Sequence, residues 1–165
     1  MKDLLFIGEH PMQLEFRRAT MNDATVIAQF SADMALETEN LTLDRERVRR
    51  GVEAALRDPA KGFYVLAIAD EKVIAQTMIT FEWSDWSNGM RWWVQSVYVH
   101  PDYRRRGIYR GLFEHLRGMA EREEAVCCLR LYVHRENRAA QAVYQKLGFH
   151  ETQYHLYEMD LPRSG

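Results

Sequence analysis

Apolar positions recur along this chain with two different periods. Gln13-Leu14-Glu15-Phe16-Arg17 alternates polar and apolar residues from Met12 on, the period of a half-buried strand. Thr20-Met21-Asn22-Asp23 then offers cap residues, and Ala24, Ile27, Ala28 and Phe30 follow at helical spacing. A second helix is predicted after Thr42, with Val48, Val52, Ala55 and Leu56 on one face, ended by Asp58-Pro59 and Gly62. The middle of the chain changes period. Residues 63–68 form a short apolar run suited to a buried strand, and Asp70-Glu71-Lys72 turns into a second strand over 73–83. Turn chemistry over 84–89, with Asn88-Gly89 its clearest signal, leads to a strand over 92–99 that Pro101 ends.

Helical spacing returns over 107–123, where Ile108, Leu112, Phe113, Leu116, Met119 and Ala120 form an apolar stripe. Arg110/Glu114 and Arg117/Glu121 sit four apart on its wet face. A strand over 127–133, a helix over 138–147 and a final strand over 154–161 complete the pattern. Strand, helix, strand over 92–133 is a right-handed crossover unit, so its two strands are expected side by side and parallel. The expected fold class is α/β: a three-layer α/β/α sandwich with a mixed, mostly antiparallel sheet. Residues 1–11 read as an N-terminal leader and 12–165 as a single domain.

Composition narrows the function classes. The 165 residues carry 22 Lys+Arg against 24 Asp+Glu, a net charge of −2, where a dedicated nucleic-acid binder is usually clearly basic. The longest early apolar run, residues 4–7, is too short for a signal-peptide core, and no stretch approaches the length of a membrane span. The only cysteines, Cys127 and Cys128, are sequence neighbours; they read as buried free thiols of a cytoplasmic protein.

The most informative segment is residues 97–111: a strand, a basic loop (Arg104-Arg105-Arg106-Gly107) and a helix start. Free N–H groups and the helix dipole favour phosphate there, and glycine lets the backbone approach closely. The P-loop and dinucleotide-binding glycine patterns are both absent. Arg104-Arg105-Arg106-Gly107-Ile108 resembles the Q/R-x-x-G-x-G/A acyl-CoA signature of the GNAT superfamily of N-acetyltransferases, with Tyr109 at the last, usually small, position. A second segment, Asn137-x-x-Ala140-x-x-x-Tyr144-x-x-x-Gly148-Phe149, is similar to that family's Asn-x-x-Ala-x-x-x-Tyr-x-x-x-Gly-Phe motif. The element order matches the GNAT fold from about Leu14 to Leu161, whose sheet splays between two parallel central strands.

The resemblance implies acetyl-CoA as co-substrate and acetyl transfer directly to a primary amine of a small molecule or peptide. It places the pantetheine along Val97 and Val99, the pyrophosphate on the backbone of Arg105 to Tyr109 beside Arg104 and Arg106, and a cofactor contact or helix cap at Asn137. Tyr144 is the implied general acid for the departing thiolate. Many GNAT enzymes carry a glutamate base on the fourth strand; here the matching stretch holds Gln95, which cannot act as one. Glu82 on the neighbouring strand is the substitute, with Glu37 or Glu39 as runner-up. Trp83, Trp93, Glu82 and Asp85, closed over by Glu37 and Glu39, are the candidate acceptor pocket, since aromatic faces and carboxylates suit a cation.

No His pair stands at ligand spacing, and no covalent nucleophile motif is present, so neither a metal nor an acyl-enzyme is expected. Two rivals stay open: an acyl-CoA-binding protein without catalysis, and a nucleic-acid-binding module using Arg104–Arg106. Homodimers are common among similar proteins.

Overall fold

The structure is a computed structural model that describes residues 3–7 and 10–162, with side chains from Gln13 onward. The chain divides into two compact units, residues 1–132 and 133–165.

The first unit carries one six-stranded sheet in sequence order: β1 (Asp3–Ile7), β2 (His10–Arg18), β3 (Phe63–Ala69), β4 (Lys72–Ser84), β5 (Gly89–Val99) and β6 (Val126–Arg130). All neighbours pair antiparallel except β5 and β6, which the crossover helix α3 (Ile108–Glu121) makes parallel. Part of the segment read as a leader is therefore strand β1. The β3–β4 hairpin turns on Asp70 and Glu71, both left-handed (φ 46° and 65°). That two-residue geometry matches the twist of the flanking strands.

Both faces of the sheet are covered, which explains the unbroken apolar run of β3. Its Val65, Ala67 and Ala69 pack in one core with Ile108, Leu112 and Leu116 of α3. The alternate residues Tyr64, Leu66 and Ile68 pack in a second core with Ala24 and Ile27 of α1 (Ala24–Glu39) and with Val52 and Ala55 of α2 (Arg45–Arg57). These are the three layers expected from the pattern. Tyr64 is buried so deeply that its phenol pKa is pushed up to about 12.

One irregularity shapes the rest of the molecule. Along β4–β5, Gln76 faces Tyr98 and Met78 faces Gln95, so Ser96 and Val97 together oppose Thr77. Ser96 is the bulged residue, left-handed at φ 49°. Before it, Trp92 and Val94 point into the α3-side core; after it, Val97 and Val99 do. The extra residue inverts the alternation and delivers Tyr98 to the α1 side, where its ring packs on Phe30 at 4.9 Å.

The second unit is built on α4 (Arg138–Lys146). The Asn137 side chain caps its start, accepting from the Ala140 N–H at 3.0 Å. Its end closes as a Schellman turn: Phe149 N–H donates to Tyr144 O (3.0 Å) and Gly148 N–H to Gln145 O (3.1 Å), with Gly148 left-handed at φ 96°.

Three expectations are corrected. Residues 154–161 form no strand: Tyr154, Leu156, Tyr157, Met159 and Leu161 are all exposed. Alternation specifies two faces of a strand but not the ladder partner that a strand requires. Consequently the parallel pair β5–β6 stands at the edge of the described sheet rather than at its centre. Cys127 and Cys128, expected to be buried, are free and exposed, because β6 is that edge strand.

Candidate functional site

The loop from β5 to α3 is shaped by two left-handed residues, Arg105 (φ 61°) and Gly107 (φ 74°). No side chain caps α3 at Gly107, and the helical ladder begins only with Gly111 N–H donating to Gly107 O at 3.0 Å. The first-turn N–H groups are thus presented at the positive end of the helix dipole, and the loop before them lines an open depression with Pro101, Asp102, Arg104, Arg105 and Arg106. This donor set fits a diphosphate, the group acetyl-CoA brings. Tyr109 does not block the loop: its half-buried ring lies along the helix against Phe113, with centroids 6.5 Å apart.

The arginines of the triplet are not equivalent. Arg104 turns back, its Nε donating to Val99 O (2.8 Å) and its Nη2 to Glu37 Oε2 (2.6 Å). The Tyr98 hydroxyl donates to the other Glu37 oxygen at 3.4 Å. Burial first, then the negative charge of Glu37, raises the Tyr98 phenol above its usual pKa. Arg106 lies over the Tyr103 ring at 5.7 Å.

Parallel pairing of β5 with β6 runs from Met90–Val126 to Trp93–Arg130. Among the described residues no ladder continues beyond it, so β5 is paired only with β4 over 94–99. Val97 and Val99 lie in this opened stretch. Their side chains pack toward α3, which leaves the strand edge and its backbone for a ligand.

Nearer the start of β5, Glu82 is held by three side chains. Arg91 Nη1 donates to it at 3.0 Å, Trp93 Nε1 at 2.7 Å, and Arg130 Nη1 to both oxygens at 3.1 and 3.3 Å. Burial pushes the Glu82 carboxyl up, but the Trp93 and Arg91 hydrogen bonds and the two guanidinium charges outweigh it, and the pKa is lowered.

The acceptor residues expected together are only partly assembled. Glu82 and Trp93 meet directly. Trp83 alternates onto the opposite face of β4 from Glu82 and is exposed. Asp85 sits in the hairpin turn, accepting from Trp86 N–H at 2.9 Å. Glu39 is the exposed last residue of α1, and Glu37 belongs with Arg104 and Tyr98. Gln95 uses its amide on the Thr80 hydroxyl. In the second unit, Tyr144 is the residue whose carbonyl closes the Schellman turn. Its ring meets Phe149 edge-on at 5.9 Å, so Gly148-Phe149 fixes the tyrosine locally.

Sequence reasoning missed Tyr98, Arg91 and Arg130. The first changes face only because of the bulge. The other two are ordinary strand arginines until β4, β5 and β6 align them on Glu82. Among the described residues no cluster could hold a metal ion, and no helix is long and apolar enough to cross a membrane.

The fold is a mixed sheet covered by helices on both faces, with a parallel pair β5–β6 that ends before the uncapped start of α3. The chain belongs to the acetyltransferase (GNAT) family, whose model matches residues 26–149. It is 42% identical to a possible acetyltransferase from Clostridium difficile 630, with a TM-score of 0.86 over 91% of this chain and 99% of that one. A 56-residue stretch is 45% identical to the [ribosomal protein bS18]-alanine N-acetyltransferase of Escherichia coli (strain K12), covering 34% of this chain and 37% of that relative. A predicted acetyltransferase with acetyl-CoA from Clostridium acetobutylicum shares the fold, at 21% identity and TM-score 0.73 over 89% and 96% of the two chains.

Proposed function

We propose that this protein moves an acetyl group from acetyl-CoA directly to a primary amine of a small molecule or peptide. The observation that carries the reading is the opened β5 edge, placed between the Ser96 bulge and the uncapped start of α3. Bound acetyl-CoA supplies an activated thioester carbonyl. Backbone N–H groups over Arg105–Tyr109 hold the pyrophosphate, and the β5 edge at Val97 and Val99 lines up the pantetheine. A backbone N–H near Val97 donates to the carbonyl oxygen as charge builds there. Tyr144 gives its proton to the leaving thiolate, and Asn137 keeps α4 in register while contacting the co-substrate.

The amine must lose a proton before attack, because a lysine-like amine titrates near 10.4. Glu82 is poorly suited to take it, with both oxygens engaged and its pKa lowered. We assign that role to Glu37, whose Oε1 carries, among the described residues, only the long contact to Tyr98. Glu39, at the end of the same helix, lines the entrance. Arg104 acts from the side, bracing the pyrophosphate loop against α1 rather than reaching for phosphate. That commitment of Arg104, and of Arg106 to Tyr103, weakens the nucleic-acid reading. Acetyl-CoA chemistry and free thiols suit a cytoplasmic protein.

The test is in two stages. A thermal shift with CoA shows the co-substrate site, since a ligand at 100 times its Kd stabilises the native state by about 2.7 kcal/mol. Release of free CoA thiol across a panel of amines then separates an enzyme from a mere binder. Tyr144→Phe should slow that release and keep the shift. An unchanged rate removes Tyr144 from the mechanism, and no shift with CoA or acetyl-CoA sinks the proposal.

A further inference from the structure

The acceptor wall is not the acidic surface that its sequence implies. Around Glu82 the charges are one carboxylate against two guanidiniums, Arg91 and Arg130, whose side chains are only 19% and 29% exposed. The cluster lies on the sheet face opposite α3, floored by Trp93, with Arg130 over its ring at 5.8 Å. Each arginine spends one terminal nitrogen, Nη1, on Glu82. Among the described residues, Nε–H and Nη2–H2 of both make no protein hydrogen bond. Two rigid donor forks with a net positive charge therefore remain on a half-buried floor, an arrangement that matches the geometry of a carboxylate. Glu82 serves to hold the two like charges together.

Resting on the amine-acetylation reading above, we propose that Arg91 and Arg130 receive a carboxylate of the acceptor, so that the preferred substrate is a short peptide-like amine ending in a free acid. The spacing supports this size. Trp93, the β5 partner of Arg130, precedes Val97 by four residues, about 13 Å along a strand. Both guanidiniums turn back to Glu82, level with Arg91, which lengthens that span to about 20 Å, the extended length of roughly six residues. A monoamine or a polyamine leaves the two forks without an anionic partner.

The experiment compares hexa-alanine with its C-terminal amide as acceptors, and N-acetyl-hexa-alanine with its amide as ligands in calorimetry with CoA present. The free acid is expected to show kcat/KM at least about tenfold above the amide, the discrimination a charge-assisted hydrogen bond provides. Arg130→Gln should bring that ratio down toward one, acting through KM. Glu82→Gln, which raises the local charge from +1 to +2, should widen it; both variants are first checked for a native CoA thermal shift. Calorimetry keeps the two readings apart. If neither peptide is acetylated but the acid form binds and the amide does not, amine acetylation of such peptides fails and the carboxylate site stands. If acid and amide bind alike, or the ratio survives Arg130→Gln, the carboxylate site is overturned whatever the rates.

Discussion

Asp23 at the start of α1 provides a direct test of the energetics. It is 6% exposed, and its carboxylate accepts four hydrogen bonds: two from Arg17 (both 2.9 Å), one from Thr20 N–H (2.7 Å) and one from the Thr20 hydroxyl (3.0 Å). The Arg17 bonds are the largest cause of its lowered pKa. Burial opposes them, the Thr20 bonds add to them, and the net result is about 2 against an ordinary 3.8. That difference corresponds to about 2 kcal/mol of stability at neutral pH. Asp23→Asn keeps the shape and removes the charge. It should cost about 2 kcal/mol at pH 7, which for a chain of this size lowers Tm by about 4–8 °C.

Because the folded pKa is depressed, the stabilisation is complete above the unfolded value and is lost as pH falls through the folded one. Urea unfolding of both proteins at pH 7, 5 and 3 should give a difference that is constant to about pH 5 and about halved at pH 3. A difference under about 0.5 kcal/mol at pH 7, in the range of an ordinary surface change, refutes the assignment. So does a difference that does not vary between pH 7 and 3.

Three further outcomes follow from the site. Gly107→Ala has open space for its Cβ but places a side chain at φ 74°; it should cost about 1 kcal/mol in urea unfolding and weaken CoA binding in calorimetry, and unchanged affinity would count against the loop as the pyrophosphate site. Ser96→Gly relieves a left-handed residue in the bulge, so Tm should rise rather than fall. Glu37→Gln should lower kcat at least about a hundredfold with the CoA thermal shift kept, whereas stability should move by less than about 1 kcal/mol because the Arg104 ion pair is solvent-exposed.

The sequence by itself determined whatever is set within a few neighbouring residues. The stripe Ile108–Leu112–Leu116 specifies α3 and the core it enters. Asp70-Glu71 specifies a tight hairpin, and Gly107 a helix start without a side-chain cap. The Tyr144…Gly148-Phe149 spacing is legible for the same reason, since a Schellman turn spans six residues. The layer order also follows locally, because the unbroken run of β3 can be satisfied only between two covered faces.

Only tertiary structure decided what depends on strand register and distant pairing. The bulge at Ser96 has no local sequence signal, yet it turns Tyr98 toward α1. Glu37 and Arg104 are 67 residues apart, and Glu82 and Arg130 are 48 apart. Neither pairing is encoded in composition, and the Arg130 charge helps to lower the pKa of Glu82. Glu82 read in sequence is an acid beside tryptophans; in the sheet it is the anion that anchors two arginines. A side chain's charge is a local property, but the field around it is the sum over whatever the fold brings within a few ångströms, and around Glu82 two guanidiniums outnumber the one carboxylate.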